Sequence, residues 1–170
     1  MIADIIAFLL GKIHVWTPML AILLAALSIH RAGGFSNRAV VVDRFFAWWM
    51  LLVAGGVFNG FVMHSFFPGF TAHLIGWAES PFQREVAYAD AAVGIMGVMA
   101  FFIRDKMFRL GAVVVFVICL VGDGFGHLIE ITGGDMAEYN TGSLLLADLL
   151  SPTIAAILLF FQFRLGVPER

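Results

Sequence analysis

Asp123, His127 and Glu130 are spaced by four and three residues, which puts a carboxylate, an imidazole and a second carboxylate on one stripe of a helix. Their His-x-x-Glu order is the mirror of the Glu-x-x-His that helical bundles use to hold pairs of metal ions. Nitrogen and oxygen donors of this kind suit Zn, Mn or Fe. His64, Glu85 and Asp148 are further donors of the right type. The candidate metal ligands are therefore His64, Glu85, His127, Glu130 and Asp148, with Glu79 as an additional carboxylate. Asp123 and Asp90 are then candidate catalytic acids, able to hold or carry protons beside a divalent metal. Two other chemistries draw on the same residues. One is a relay of protons or ions from acid to acid; the other is a polar network that satisfies itself and only fixes helix packing.

The elements that must position these residues are membrane-crossing helices. Of 170 residues, 61% are hydrophobic and 13% are charged, whereas soluble domains are roughly half apolar and about a quarter charged. Five stretches approach the ~20 residues needed to cross a hydrocarbon core of roughly 30 Å. They lie at about 13–29, 45–67, 82–103, 110–131 and 144–163. The apolar run that precedes them is too short to span and is interrupted by Gly11 and Lys12. Residues 1–12 thus read as an interfacial helix or as the start of the first span. Asp4, where a basic residue would be expected, argues against a signal peptide. The expected fold is an all-α integral membrane protein of five transmembrane helices in a single domain, 1–170. Spans two to five form a four-helix bundle and span one is peripheral.

Local signals refine that frame. Ser80-Pro81-Phe82-Gln83 has the form of a capping box for the third span. Pro68, Gly69 and Gly76 predict an irregular loop over 68–81, and Gly133-Gly134 ends the fourth span. Gly56-x-x-x-Gly60 and Gly122-x-x-x-Gly126 permit close helix contacts. Trp48, Trp49 and Trp77 fit aromatic belts at the membrane surfaces. Pro152 lacks the N–H that would bond the Asp148 carbonyl, so that oxygen is free for another partner.

Charge supplies the orientation. Ten Lys and Arg against twelve Asp and Glu give a net charge of −2, which lends no support to nucleic-acid binding. The single cysteine, Cys119, excludes an internal disulfide or a paired redox motif. Eight of the ten basic residues, Arg31, Arg38, Arg44, Arg104, Lys106, Arg109, Arg164 and Arg170, fall on one side of the five-span arrangement; Lys12 and Arg84 fall opposite. Basic residues stay in the cytoplasm, so the chain is expected in the cell inner (plasma) membrane as a multi-pass protein, N-terminus outside and C-terminus cytoplasmic.

That topology gathers Asn59, His64, Gln83, Glu85, Asp90, Asp123, His127, Glu130 and Asp148 in the outer half of the membrane, from four helices. A charge at the bilayer centre costs at least ~2.5–3.5 kcal/mol, so such residues face the bundle interior. Gln83 and Asp90, seven residues apart, share a helix face. Glu85 lies about 140° around the helix from Asp90 and reaches the same site only from a loosened helix start. Between the cluster and the cytoplasmic surface there is almost nothing ionisable, which argues against a through-path for ions. His14 and His30 read as interfacial anchors and His73 as a solvent-exposed loop residue.

Two blocks carry a family resemblance: 76–85 (Gly-Trp-Ala-Glu-Ser-Pro-Phe-Gln-Arg-Glu), and 122–130 with Asn140-Thr141-Gly142 and 146–152 behind it. On these the sequence resembles an uncharacterised family of small prokaryotic integral membrane proteins, over about 45–163, with the first helix outside. The resemblance implies a four-helix membrane core whose typical polar positions correspond to Gln83, Glu85, His127, Asn140 and Asp148, and it supplies no reaction. The function expected is an intramembrane polar site binding a divalent metal, extending to a metalloenzyme. The alternatives are a small ion- or proton-coupled transporter and an accessory subunit of a larger membrane complex. The bilayer is the expected partner, with a homo-oligomer or larger complex as further assemblies.

Overall fold

The computed structural model describes residue 8 and residues 11–136 and 138–167, the side chain of Glu138 excepted. Most of the 1–12 segment, and Glu169 and Arg170, lie outside the described residues. Those described form helices and turns, with no strand among them.

Helix α1 covers Ile13–Arg31. The second span has three parts: α2, Arg38–Trp49; a π turn at Met50–Ala54 followed by a 3-10 turn at Gly55–Val57; and α3, Phe58–Phe66. Short α4, Pro68–Ile75, leads to α5, Gln83–Phe102. Helix α6 is Lys106–Thr132, α7 is the single turn Glu138–Thr141, and α8 is Ser143–Arg164. Five helical runs are long and apolar enough to cross a membrane: Ile13–Arg31, Arg38–Phe66, Gln83–Phe102, Lys106–Thr132 and Tyr139–Arg164.

Two spans begin earlier than apolarity alone predicts, because side-chain caps start them. Asn37 Oδ1 accepts from the Ala39 and Val40 amides at 3.1 and 3.3 Å, which carries the second span back to Arg38. Asp105 Oδ1 accepts from the Phe108 amide at 2.7 Å and starts α6 at Lys106. The segment 68–81 also departs from expectation, since its first half is helical. Pro68 occupies the first turn of α4, and Thr71 Oγ1 donates to the Met63 and Phe67 carbonyls at 3.0 and 2.9 Å, tying α4 to the end of α3. Gly76, at φ +72°, then closes α4 in the left-handed conformation.

Lipid tails are as apolar as leucine, so close packing rather than water exclusion holds these helices together. Gly97 of α5 lies so near the second span that an added Cβ would come within 2.6 Å of the Gly55 amide nitrogen, and one at Gly94 within 2.7 Å of that of Phe58. The irregular turns of the second span thus sit where α5 presses on it. Beside this contact lies the core, including Phe46, Trp49, Met50, Val93, Phe116, Ala155 and Leu159. Trp49 belongs to it rather than to an aromatic belt, and its indole N–H donates to the Ser151 carbonyl at 3.0 Å. Helix α1 packs along α2 through buried Ala21, Ala25 and Ile29 and is the least buried of the five spans, as a peripheral span should be.

Candidate functional site

Near the α4 end of the bundle the helices enclose a cavity of about 380 Å³, within the range of small-molecule sites. All five spans and α4 contribute walls, mostly apolar, into which a few polar side chains project. His64 comes from α3, Asp90 from α5, Asp123, His127 and Glu130 from α6, and Asp148 from α8; α1 adds His14 and Thr17. Among the described residues that line it there is no Lys or Arg. The acids therefore share the space only with imidazoles and neutral groups.

Each cavity histidine is held by a polar partner. His127 Nδ1 lies 2.8 Å from Asn140 Oδ1, and Asn140 is fully buried. His64 Nδ1 lies 3.0 Å from Gln83 Oε1, and Gln83 is 2% exposed. A ring whose Nδ1 donates to the amide oxygen turns Nε2 toward the cavity, where it presents a lone pair when neutral and an N–H when protonated. His127 Nε2 lies 3.4 Å from Asp148 Oδ2, and Nδ1 lies 4.0 Å from Glu130 Oε2. His14 Nε2 pairs with Ser143 Oγ at 2.8 Å. The Trp77 ring packs near His64, with centroids 6.2 Å apart. Asp90 fits against Gly60 so tightly that its carboxylate occupies the place of a Cβ there. Gly60 thus makes room for an acid of α5, a close helix contact of the kind its pattern permits.

Of the five candidate metal ligands, His64, His127, Glu130 and Asp148 line this cavity, and so do both candidate acids, Asp90 and Asp123. Glu85 does not. It is exposed on α5, two residues after buried Gln83, and two residues turn a helix by about 200°. The loosened start that would have turned it inward is occupied otherwise: Ser80 Oγ accepts from the Phe82 amide at 3.0 Å. Gln83 does not complete the capping box, because its side-chain oxygen is committed to His64. Glu79 is exposed and packs over Gly69, and His73 is exposed on α4. Among the described residues no three His, Cys, Asp or Glu side chains converge as a ready metal-binding group. His127 and Asp148 approach each other to 3.4 Å.

Sequence reasoning missed a second polar centre, at the opposite end of the bundle. Arg109, assigned to a loop, belongs to the first turn of α6 and is 1% exposed. Its Nη1 donates to Asp43 Oδ1 at 2.8 Å and to Gln162 Oε1 at 3.1 Å. Its Nε reaches the Ala100 and Ile103 carbonyls, each at 3.2 Å, which satisfies oxygens left open at the end of α5. The guanidinium also stacks 4.8 Å from the Phe46 ring centre, and Arg104 approaches Asp43 at 3.7 Å. One signal was available in the sequence. Asp105 is a good N-cap, and it puts Arg109 inside the helix that follows.

No curated protein and no solved structure matches this chain. A family model does, and it takes in residues 11–167, so the first helix, with the His14 and Thr17 it brings to the cavity, is part of the family unit rather than an addition to it. The chain belongs to DUF6790, a family of unknown function.

Proposed function

We propose that this is a multi-pass protein of the cell inner membrane that binds one divalent metal ion, Zn, Mn or Fe, in the cavity between its helices. The observation that carries this reading is the His127–Asp148 pair. With Nδ1 held by Asn140, His127 Nε2 faces a carboxylate oxygen 3.4 Å away. A neutral imidazole and a carboxylate so placed are two acceptors, which a proton or a metal cation between them would reconcile. Two ligand atoms ~2.1 Å from a tetrahedral ion stand ~3.4 Å apart, so the spacing of the pair would accommodate one. The amide partners behind Nδ1 of His127 and His64 match the way metal-binding histidines are oriented by a group behind them. The remaining ligands come from Glu130 of α6 and His64 of α3, or from water. A bound ion would supply Lewis-acid polarisation or an activated water; Asp90 and Asp123 would hold or pass protons. The transporter alternative gains no support from the far end, where Arg109, Asp43 and Gln162 are buried together.

Zinc titration of detergent-purified protein tests the reading. Wild type should bind a single equivalent, with affinity falling as acid protonates the imidazoles. His127→Ala should lose about 100-fold or more in affinity while remaining helical. Because the site exists only in the folded bundle, metal at 100 times its Kd should stabilise the wild type by about 2.7 kcal/mol and a chelator should remove that gain. A metal-free wild type as stable as the loaded one overturns the proposal. The distribution of basic residues supports a cavity on the outer side. Accordingly, in a Cys119-free background a cysteine at exposed Met136 should react with an impermeant reagent applied to intact cells, and one at Arg38 should not.

A further inference from the structure

Resting on the reading of this cavity as the functional site, we propose that its substrate is a single-chain amphiphile with a hydrogen-bond-donating head, a long-chain amine or alcohol. It enters sideways from the bilayer past Gly122 and Gly126. Both glycines line the cavity, and both are also exposed on α6. A Cβ added at either would meet nothing within 4 Å, so no neighbouring helix closes over them. This contrasts with Gly124 on the same helix, where an added Cβ would come within 2.8 Å of the Leu149 side chain and 3.6 Å of the Asp148 Cβ. One side of α6 is therefore sealed by α8, and the Gly122–Gly126 side is open.

The depth of that opening decides what can use it. Helix α6 has 27 residues and at 1.5 Å per residue runs about 40 Å, which exceeds the hydrocarbon thickness of roughly 30 Å. Centred in the membrane, it extends about 5 Å beyond the core at each end. Gly126 and Gly122 stand about 9 and 15 Å from the Thr132 end, so both lie at the level of the acyl chains. An opening there admits molecules dissolved in lipid.

Charge selects the head group. Asp123, between the two glycines, is exposed at the mouth and lines the cavity; Asp90, Glu130 and Asp148 lie further along the wall, and no Lys or Arg lines it among the described residues. A carboxylate at such a depth is costly unless it meets a donor or a cation. A head that donates to Asp123 removes that cost, while an anionic head adds to it. The apolar remainder of the wall suits the chain behind the head.

The test is photolabelling in phosphatidylcholine nanodiscs with three diazirine-bearing sixteen-carbon probes: the amine, the alcohol and the carboxylic acid. Amine and alcohol should label residues 120–130 and 144–151 about tenfold more than the acid. Gly126→Leu should cut that labelling about tenfold by filling the mouth, and Gly122→Leu gives an independent version of the same block. Asp123→Asn should weaken amine labelling most. Equal labelling by the acid, or full labelling in both leucine variants, overturns the proposal. Zinc titration of the same variants separates the two readings. Metal binding without cavity labelling overturns lateral entry alone. Cavity labelling without metal binding supports it and removes only the metal.

Discussion

Arg109 and His127 stand on the same face of α6, eighteen residues or five full turns apart, each with a carboxylate from a neighbouring helix in front of it. Around Arg109 the chain has closed up. The guanidinium meets a carboxylate, an amide oxygen, two backbone carbonyls and a phenyl face. Around His127 the chain stands open, and the imidazole and its carboxylate border a cavity. The difference lies in the partners. Arg109 presents permanent charge, and fixed acceptors meet its Nη1 and Nε, whereas His127 has one ring nitrogen on Asn140 and the other toward a carboxylate. The first centre joins opposite charges in direct contact, although Arg109 Nη2 and Gln162 Nε2 find no protein partner among the described residues; the second sets its imidazole and carboxylate at the border of a cavity.

Breaking the closed centre should cost the most. Arg109→Met leaves Asp43 buried without its partner and should destabilise the fold by about 3–5 kcal/mol, read by thermal or steric-trapping unfolding in detergent. Asp43→Asn/Arg109→Met together should recover a good part of the loss, and no recovery would show that the arginine acts chiefly through the carbonyls of α5. At the open centre the expected damage falls on function rather than folding. Asn140→Ala releases the His127 ring and should weaken zinc binding about 10- to 100-fold, while the unfolding midpoint in chelator drops by much less than for Arg109→Met. Glu85→Gln should be the smallest of the three, within about 0.5 kcal/mol in stability and without effect on zinc affinity, because Glu85 faces away from both centres. A strong loss of zinc binding in Glu85→Gln would bring that carboxylate back into the site.

Gly76 shows how the open centre is kept near the loops. Its left-handed conformation ends α4, and the Tyr139 hydroxyl occupies the place where a side chain would be. That contact brings the 68–81 segment against α7, the turn that carries Asn140 to His127. The sequence marked Gly76 as a loop glycine and Asn140 as a polar loop residue. Nothing in their spacing, 64 residues apart, could join them.

The amino-acid sequence by itself determined which segments cross a membrane, because a span depends on some twenty consecutive apolar residues and on caps such as Asn37 and Asp105, all local properties. It also determined the depth at which His64, Asp90, His127 and Asp148 lie, since depth along a helix is a matter of counting residues. Direction around the helix axis was decided elsewhere. Outside polar stripes such as Asp123, His127 and Glu130 of α6, these helices are apolar on most sides, so the pattern does not say which side turns inward. Packing made that choice, at Gly94 and Gly97 against the second span and at Gly124 against α8, where backbones and side chains come too close for a Cβ. Those contacts turned Gln83 inward and Glu85 outward and buried Arg109 against Asp43. They also left Gly122 and Gly126 facing open space, because helix rotation is set by the neighbour a residue meets and not by the residues beside it in the chain.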